Sequence, residues 1–474
     1  MAMVVKNNMS AISTLNTLNK NSSALSKSLA KVSSGMKINS AADDASGYAI
    51  SERMRVQIRS LDQANANTQN GSSMMKVAEG AVSSTVDILK TLKEKVISAA
   101  NDDKTDSDRA TIQKELDQSI DQINDNANIT YNGKYLVDGS HNNSIVQTTT
   151  AFTNQSLNTN TDFSTAFTAM EDRNGNKLNI QSLDTVTISF VHQGTTYVTS
   201  FRAGAEVNAT TGAITGSAAH NLKNLLEIAN SHFYTSKNAD SKVNSDTSIT
   251  AAFNVSTSYG DKTALQTSNY IGRDGAVDTI NTADGQNALT FRAKYSGLSG
   301  QISGVTISVS NTKGQIQKSI NAVLDNFSES IRAQNKSTDN QITLQVGTKA
   351  NQSIRVGLTD MRAEALGLAS STGKTLQIGN QQQANAAINV LDNAVQKALD
   401  QQTTIGSIES RLEYTSSNLT TSSENVQASE STIRDADMAK EMTNYTKNNV
   451  LLQAAQSMLA QANQSSSAVL SLLQ

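Results

Sequence analysis

The sequence predicts a mainly α fold carrying an inserted β-rich module. Its N- and C-terminal helices are expected to pack together as a coiled-coil rod, with a β-hairpin next to the rod and a variable middle domain looped out. Three observations lead there. Apolar residues recur every seven positions near both ends of the 474-residue chain. The middle alternates β-branched residues with Gly, Asn and Ser. Proline is absent, although average usage of about 5% would supply roughly two dozen. A chain without proline has lost its commonest helix breaker and its slowest isomerising bond.

The N-terminal elements follow from the heptads. Between residues 15 and 36, Leu18, Leu25 and Val32 fall on one track, and Leu15, Leu29 and Met36 on a second, in which Ser22 fills the gap. Two such tracks on a polar helix make a coiled-coil seam. Ser33-Ser34-Gly35-Met36-Lys37-Ile38-Asn39-Ser40 interrupts it with turn-forming residues. A second helix starts near Ala45, where Asp43 and Asp44 can cap it and complement its dipole. Met54, Leu61, Thr68, Met75, Val82, Leu89 and Val96 recur along it every seven residues. They imply about 50 residues and roughly 80 Å of helix. Gly71 predicts a weak point within it. The polar stretch 101–108 is a turn, and Ile112, Leu116, Ile120 and Ile123 stripe an antiparallel return helix that ends before Asn132-Gly133.

At the far end, Leu391, Ala398, Ile405, Leu412, Leu419, Val426 and Ile433 occupy seven successive positions of one heptad track. After Asp435-Ala436-Asp437 a last helix carries Leu451, Leu452, Ala455, Met458, Leu459 and Ala462 on one side. Its final residues, Val469-Leu470-Ser471-Leu472-Leu473-Gln474, are apolar. Asn449, Gln456 and Asn463 sit where a seam would run, and buried amides there would fix register.

The middle predicts strands. Residues 185–191 and 196–201 flank a turn at 192–195 and form a hairpin. Further strands are expected at 288–295 and 305–310, short helices at 220–233 and 316–334, and a second hairpin from 342–346 and 353–358. Polar connections suggest an exposed, weakly constrained module.

Composition narrows the function. Lys plus Arg total 39 and Asp plus Glu 42, a net charge of −3, so the clustered cations that bind nucleic acid are not expected. The absence of Cys removes disulfides, thiolate metal sites and cysteine nucleophiles, and only four histidines, His141, His192, His220 and His232, remain for acid–base chemistry. No stretch approaches 18 apolar residues, so no membrane partner is expected. Neither a cofactor nor a metal site is expected. His220 and His232 beside Glu227 read as surface or structural histidines, Asp43-Asp44 as a cap, the acidic run from Asp102 to Asp108 as a solvated turn, and Met54 and Met75 as core fillers. Asn-x-Ser/Thr triplets such as Asn128-Ile129-Thr130 and Asn254-Val255-Ser256 read as incidental.

Helices of this length with single apolar seams need partners, and the two ends of the chain supply them for each other. Residues 1–42 and 435–474 are therefore expected as an inner pair of terminal helices. Residues 43–140 and 341–434 form a longer helical part with the hairpin 342–358, and residues 141–340 a solvent-exposed β-rich domain. The terminal pair alone buries one stripe, and its leftover apolar surface implies further copies of the chain in a heterologous contact that grows a helical filament.

Ser33-Ser34-Gly35-Met36-Lys37-Ile38-Asn39-Ser40-Ala41-Ala42-Asp43-Asp44-Ala45-Ser46-Gly47 resembles the N-terminal signature of bacterial flagellin, and residues 450–474, with Leu459-Ala460-Gln461-Ala462-Asn463-Gln464, resemble its C-terminus. The resemblance covers residues 1–140 and 341–474. It implies a structural subunit of the flagellar filament, not an enzyme, secreted unfolded by the flagellar type III apparatus and self-assembling outside the cell for motility. Implied partners are other copies of itself, an export chaperone, and cap and hook-associated proteins. Subunit assembly would rest on Leu15, Leu18, Leu25, Leu29, Val32, Leu451, Leu452, Met458, Leu459, Leu470 and Leu473. The rod core would rest on Met54, Leu61, Met75, Val82, Leu89, Leu391, Ile405, Leu412, Leu419 and Val426. Toll-like receptor 5 recognises some members through a segment matching Leu89, Lys90, Thr91, Lys93, Glu94 and Lys95, with Glu115 opposite. Strongly recognised members have Arg at the position of Thr91 and Leu at that of Lys95, so weakened activation is expected. Ser and Thr of the middle resemble the glycosylation targets of some members. The alternatives are a hook-filament junction protein, which shares the terminal helices, and a flagellin with an enzymatic insertion, some of which carry a zinc protease; no His-Glu-x-x-His stands here.

Overall fold

The structure, a computed structural model, describes residues 8–161, 165–204, 220–222, 224–226, 229 and 288–472, the side chains of 465–472 excepted. It divides into two compact units. One comprises Met1–Asn70, Gln345–Ile354 and Leu412–Gln474; the other comprises Gly71–Leu344 and Arg355–Arg411.

In the first unit, helix α1 (Met9–Ser34) opens on Asn8, whose side chain accepts the Ala11 N–H at 3.0 Å, and closes at Gly35, whose N–H reaches the Lys31 carbonyl. The last helix, Met438–Leu472, lies antiparallel to it: Asn8 meets Ala462, Asn21 meets Leu451, and Ser28 meets Asn448. At one end of this pair both helices join longer ones, α2 (Ala45–Ala99) after α1 and Gln381–Arg434 before the last helix. The two connections are stitched together: Lys37 N–H donates to the Arg434 carbonyl at 2.7 Å and Ala436 N–H to Gly35 at 3.0 Å. Of the two aspartates expected to cap α2, only Asp44 does so, accepting from Ser46 and Gly47 N–H. Asp43 instead folds the preceding turn, its carboxylate accepting from Asn39 and Ser40 N–H, because it sits one residue too early to face the helix amides.

In the second unit, α3 (Asp106–Ala127) starts with a Thr105/Asp108 capping box and returns antiparallel along α2. Asn126 bonds Ser84, Lys95 pairs with Glu115, and Arg109 reaches the Ala99 carbonyl. Leu116, Ile120 and Ile123 are buried, while Ile112 is half-buried. Thr130–Tyr131 (β1) and Lys134–Tyr135 (β2) form a tight hairpin through Asn132-Gly133, both at positive φ as a type I′ turn requires.

Two antiparallel three-stranded sheets follow. β3 (Ala151–Asn154) is the middle strand between β6 (Leu289–Arg292) and β8 (Phe327–Ile331). β4 (Thr185–His192) is the middle strand between β5 (Thr195–Arg202) and β7 (Ile302–Ser310). The expected 185–201 hairpin is thus present, with its turn narrowed to Gln193-Gly194. The expected strands at 288–295 and 305–310 are present with shifted bounds. Ile342–Gln345 (β9) and Ser353–Val356 (β10) make the second two-stranded sheet.

Several expectations need correcting. The helix over 316–334 is only Lys318–Leu324 (α4); residues 327–331 are strand β8, because Phe-Ser-Glu-Ser-Ile also satisfies a two-residue period and β3 offers a free edge. β3 was not anticipated: all four of its residues are buried, so it shows no alternation to read. Of the helix at 220–233, Leu222, Leu225, Leu226 and Ala229 are buried together in the core; its other residues, except His220, Asn221 and Asn224, lie outside the described ones. The described part of the β-rich region is not weakly constrained, since Phe152, Phe167, Phe190, Phe201 and Phe291 share one core. All nine phenylalanines of the chain fall between residues 152 and 327. Finally, α2 runs unbroken through Gly71. The glycine is there for room: a Cβ would stand 2.7 Å from Leu344 Cδ1 of β9.

Between β10 and the long Gln381–Arg434 helix, Ala363–Leu366 (α5) is a single turn. The long helix is hereafter α6 and the last helix α7.

Candidate functional site

Among its described side chains the terminal pair α1/α7 has almost no core of its own. Ser28 is the one buried residue of α1, and Ala455 and Ala462 are the only buried ones among the described side chains of α7. Small residues at the crossing let the helices approach, and larger ones flank them. Leu18, Leu25 and Val32 are half-buried on α1, as are Leu452 and Leu459 on α7. The other expected assembly residues point away. Leu15 is 45% exposed, Leu29 52%, Leu451 41% and Met458 63%. Met9, Ile12, Met442 and Val450 extend the same exposed apolar surface. The two heptad tracks of α1 are therefore split: one faces α7 and the other faces outward. Leu470 has its side chain, and Leu473 its whole residue, outside the described ones.

Amides set the register of the pair, but not those anticipated. Gln456 and Asn463 are exposed and Asn449 half-buried, whereas Asn8, Asn21 and Asn448 bond across at 3.1, 3.2 and 3.1 Å. Their signal was present in the sequence, since Ala11, Thr14, Leu18, Asn21, Leu25, Ser28 and Val32 continue one seven-residue pattern in which Asn21 and Ser28 hold seam positions.

Where the connections to the long helices meet, Arg434 is the central group. Its side chain is 7% exposed; Nη1 donates to Glu52 Oε1 at 2.6 Å, and the guanidinium lies 5.4 Å from the Tyr48 ring centroid. That bond holds the Glu52 carboxyl below its ordinary range. Arg55 spans to Glu430 at 3.0 Å. Neither arginine was singled out in the sequence, because nothing local marks a charge that is satisfied from more than 370 residues away.

Along the longer helices Leu61, Met75, Val82, Leu89, Leu391, Ile405 and Leu412 are buried, and Met54, Leu419 and Val426 are half-buried. In the 89–95 segment, Leu89 is fully buried, Lys90, Thr91 and Glu94 are exposed, Lys93 pairs with Asp392, and Lys95 pairs with Glu115 at 3.1 Å. Thr91 hydroxyl is turned back onto the Asp87 carbonyl.

His220 is 5% exposed with its ring 5.1 Å from that of Phe201, while His232 and Glu227 lie outside the described residues. No three His, Asp or Glu among the described residues are grouped to hold a metal, and no helix among them is long and apolar enough to cross a membrane. The amides and hydroxyl of Ser40 and the Asn39 amide keep the Asp43 carboxyl low, and Thr105 does the same for Asp108. A cavity of about 160 Å³ is lined by Asp138, Asp360, Arg362 and Lys397 among others; Arg362 binds Asp360 through Nη2 at 2.6 Å, and Lys397 donates to the Ala365 carbonyl at 2.6 Å.

What the described residues offer most plainly is an exposed apolar surface on a helix pair. Comparison with known proteins identifies the family. The family model described as the bacterial flagellin N-terminal helical region matches residues 5–142, and that of the C-terminal helical region matches residues 388–473. Over 463 residues the chain is 32% identical to a flagellin of Clostridium tyrobutyricum, covering 98% of this chain and 99% of that one. It is 28% identical to a flagellin of Bacillus subtilis strain 168 over 99% of this chain and all of that one, and 28% identical to flagellin B of Vibrio anguillarum over the whole of both.

Proposed function

The chain belongs to the bacterial flagellin family and is a structural subunit of the flagellar filament; from that premise we propose how this particular sequence assembles, travels and meets other proteins. Assembly rests on the outward track of α1 together with the exposed side of α7. Leu15, Leu29, Leu451 and Met458 become buried when a neighbouring copy packs on them, and Leu18, Leu25, Val32, Leu452 and Leu459 hold the pair in shape for that contact. The observation that carries this reading is the near absence of buried residues among the described side chains of the pair, since a two-helix unit with so little core is marginal alone. Because copies meet through different surfaces, the contact does not close on itself and a tube grows.

Residues 1–42 and 435–474 would form the inner layer of that tube, residues 43–140 and 341–434 the outer layer, and residues 141–340 its solvent-facing domain. The chain would leave the cell unfolded, through the flagellar export apparatus with a chaperone, and add beneath a cap beyond hook-associated proteins. A sequence without Pro or Cys suits that route, because no bond isomerises over tens of seconds and none cross-links on the way. No enzymatic role is proposed.

Removing residues 469–474 tests assembly: the truncated protein should stay monomeric when seeded with filament fragments, and filaments of normal length would overturn the reading. As a host ligand the chain should be weak. Thr91 supplies no cation, and Lys95 is tied to Glu115, so Thr91→Arg with Lys95→Leu should raise Toll-like receptor 5 signalling in reporter cells by tenfold or more. Full potency of the unaltered chain would refute this.

A further inference from the structure

Within the second unit, residues 138–142, 333–337 and 359–365 close around the cavity of about 160 Å³, together with Leu298 and, from α6, Lys397. Its floor is apolar and its mouth is polar. Leu298, Ala333 and Ala365 are buried, whereas Lys336 is exposed and the Arg362 side chain is 46% exposed. The wall between two of the stretches is tight: a Cβ on Gly139 would stand 2.8 Å from Asp360 Cβ.

Lys397 is the unusual member of this lining. It is 8% exposed, and its Nζ makes one hydrogen bond, to the Ala365 carbonyl at 2.6 Å, which leaves two of the three ammonium protons without an acceptor among the described residues. No carboxylate among those residues comes within salt-bridge distance of it. One turn further along α6, Gln401 is 4% exposed; its Oε1 accepts from Thr359, which lines the cavity, and its Nε2 has no partner. The α6 side of the cavity therefore carries donors in want of acceptors. Burying a cation without an anion is costly, and burial accordingly draws the Lys397 ammonium below the ordinary lysine range, although Glu329 and Asp360 act in the other direction. An anion brought within reach of Nζ would remove that cost.

The charges of the lining indicate which anion. Lys336, Arg362 and Lys397 stand against Asp138 and Asp360, an excess of one positive charge. Arg362 takes both oxygens of Asp360, with Nε at 3.0 Å and Nη2 at 2.6 Å, and Asp138 Oδ1 accepts the Ser140 N–H and hydroxyl. Asp138 can balance one of the two lysines, and the other is left over. A single negative charge completes the site, and a phosphate dianion would overshoot it. We propose that the cavity binds a small monocarboxylate, whose carboxylate accepts from Lys397 Nζ and whose short apolar body rests on Leu298, Ala333 and Ala365. An apolar cavity of about 150 Å³ holds a benzene ring, so this one has room for an acid the size of benzoate or butyrate. Lys336, at the mouth, attracts the anion. The bound acid touches all three stretches and α6, so it should tighten their packing.

Saturation-transfer NMR of benzoate and of butyrate over the full-length monomer measures the binding, with sodium chloride holding ionic strength constant. Both acids should give saturable signals and displace each other. Lys397→Met, which keeps the length of the side chain and removes its charge, should weaken binding at least about tenfold, as loss of a charge-assisted hydrogen bond does. Hydrogen exchange should slow on benzoate binding in peptides covering 138–142 and 359–365, and stay unchanged in a control peptide from 185–201. Should Lys397→Met fail to fold, Lys336→Glu decides, since that exposed side chain can be reversed without disturbing the core: it should weaken benzoate by about fivefold or more. A signal that never saturates, as when water alone fills the cavity, would overturn the proposal. So would affinity unchanged in the folded lysine variant, or phosphate binding as tightly as benzoate, which marks a plain anion site.

Discussion

The division of α1 into two tracks makes an unusual demand: leucines only three or four residues apart on one helix should fail in different assays. Leu25 is half-buried against α7, and Leu29 is 52% exposed. Fully burying a leucine is worth about 1.5–3 kcal/mol, so the half of Leu29 still in water holds about 1 kcal/mol in reserve for a neighbouring copy. Leu15, 45% exposed, and Met458, 63% exposed, hold similar amounts. The triple variant Leu15→Ala, Leu29→Ala, Met458→Ala should therefore lose about 3 kcal/mol of association free energy, which raises the critical concentration for filament growth by roughly 150-fold. Its monomer should unfold within about 0.5 kcal/mol of the unaltered protein, as surface substitutions do. Leu18→Ala with Leu25→Ala should behave otherwise, lowering the helicity of the monomer before assembly is tested. Sedimentation of seeded filaments over a concentration series gives the first quantity, and urea unfolding followed by circular dichroism the second. The reasoning is refuted if the triple variant assembles at an unchanged critical concentration, or if it destabilises the monomer as much as the Leu18/Leu25 pair.

Three further outcomes follow from single contacts. Arg109, its side chain 7% exposed, donates to the Ala99 and Asn101 carbonyls at the end of α2, so Arg109→Ala should cost about 2–4 kcal/mol in urea unfolding of the second unit. Asn21→Ala and Asn448→Ala should each cost about 0.5–1 kcal/mol, and a double-mutant cycle should find them additive, since they bond different partners. At Gly71, Ala gains about 1 kcal/mol of helix propensity but must displace Leu344 Cδ1, so Gly71→Ala should be near neutral and Gly71→Val should cost about 1–3 kcal/mol in thermal unfolding.

The helices were legible because their physics is periodic. A heptad track that runs from Leu391 to Ile433 declares one continuous helix, and α6 is continuous over Gln381–Arg434. The Asn132-Gly133 turn was readable because positive φ at consecutive residues selects Asn and Gly, and the 192–195 turn because Gly194 parts two β-branched runs. Strand β3 was not, because a strand buried on both faces has no polar alternation. Residues 327–331 were misread as helix for a related reason, since a five-residue run satisfies two periods at once and only its neighbour chooses between them. For the site, the sequence named the leucines but not which of them point outward.

By itself the sequence determined what kind of molecule this is. Heptads at both ends, no proline to interrupt them and signatures at each terminus specify long helices in need of partners, because periodicity is a property of the chain alone. Only the tertiary structure decided which stripe is covered and which is left bare, that Arg434 closes the junction on Glu52 and Tyr48, and that the buried side chain of Glu329 lies 3.6 Å from Arg332. Those are statements about distance between residues far apart in the chain. A side chain's exposure and its proton affinity are set by what surrounds it, and that neighbourhood exists only once the chain has folded.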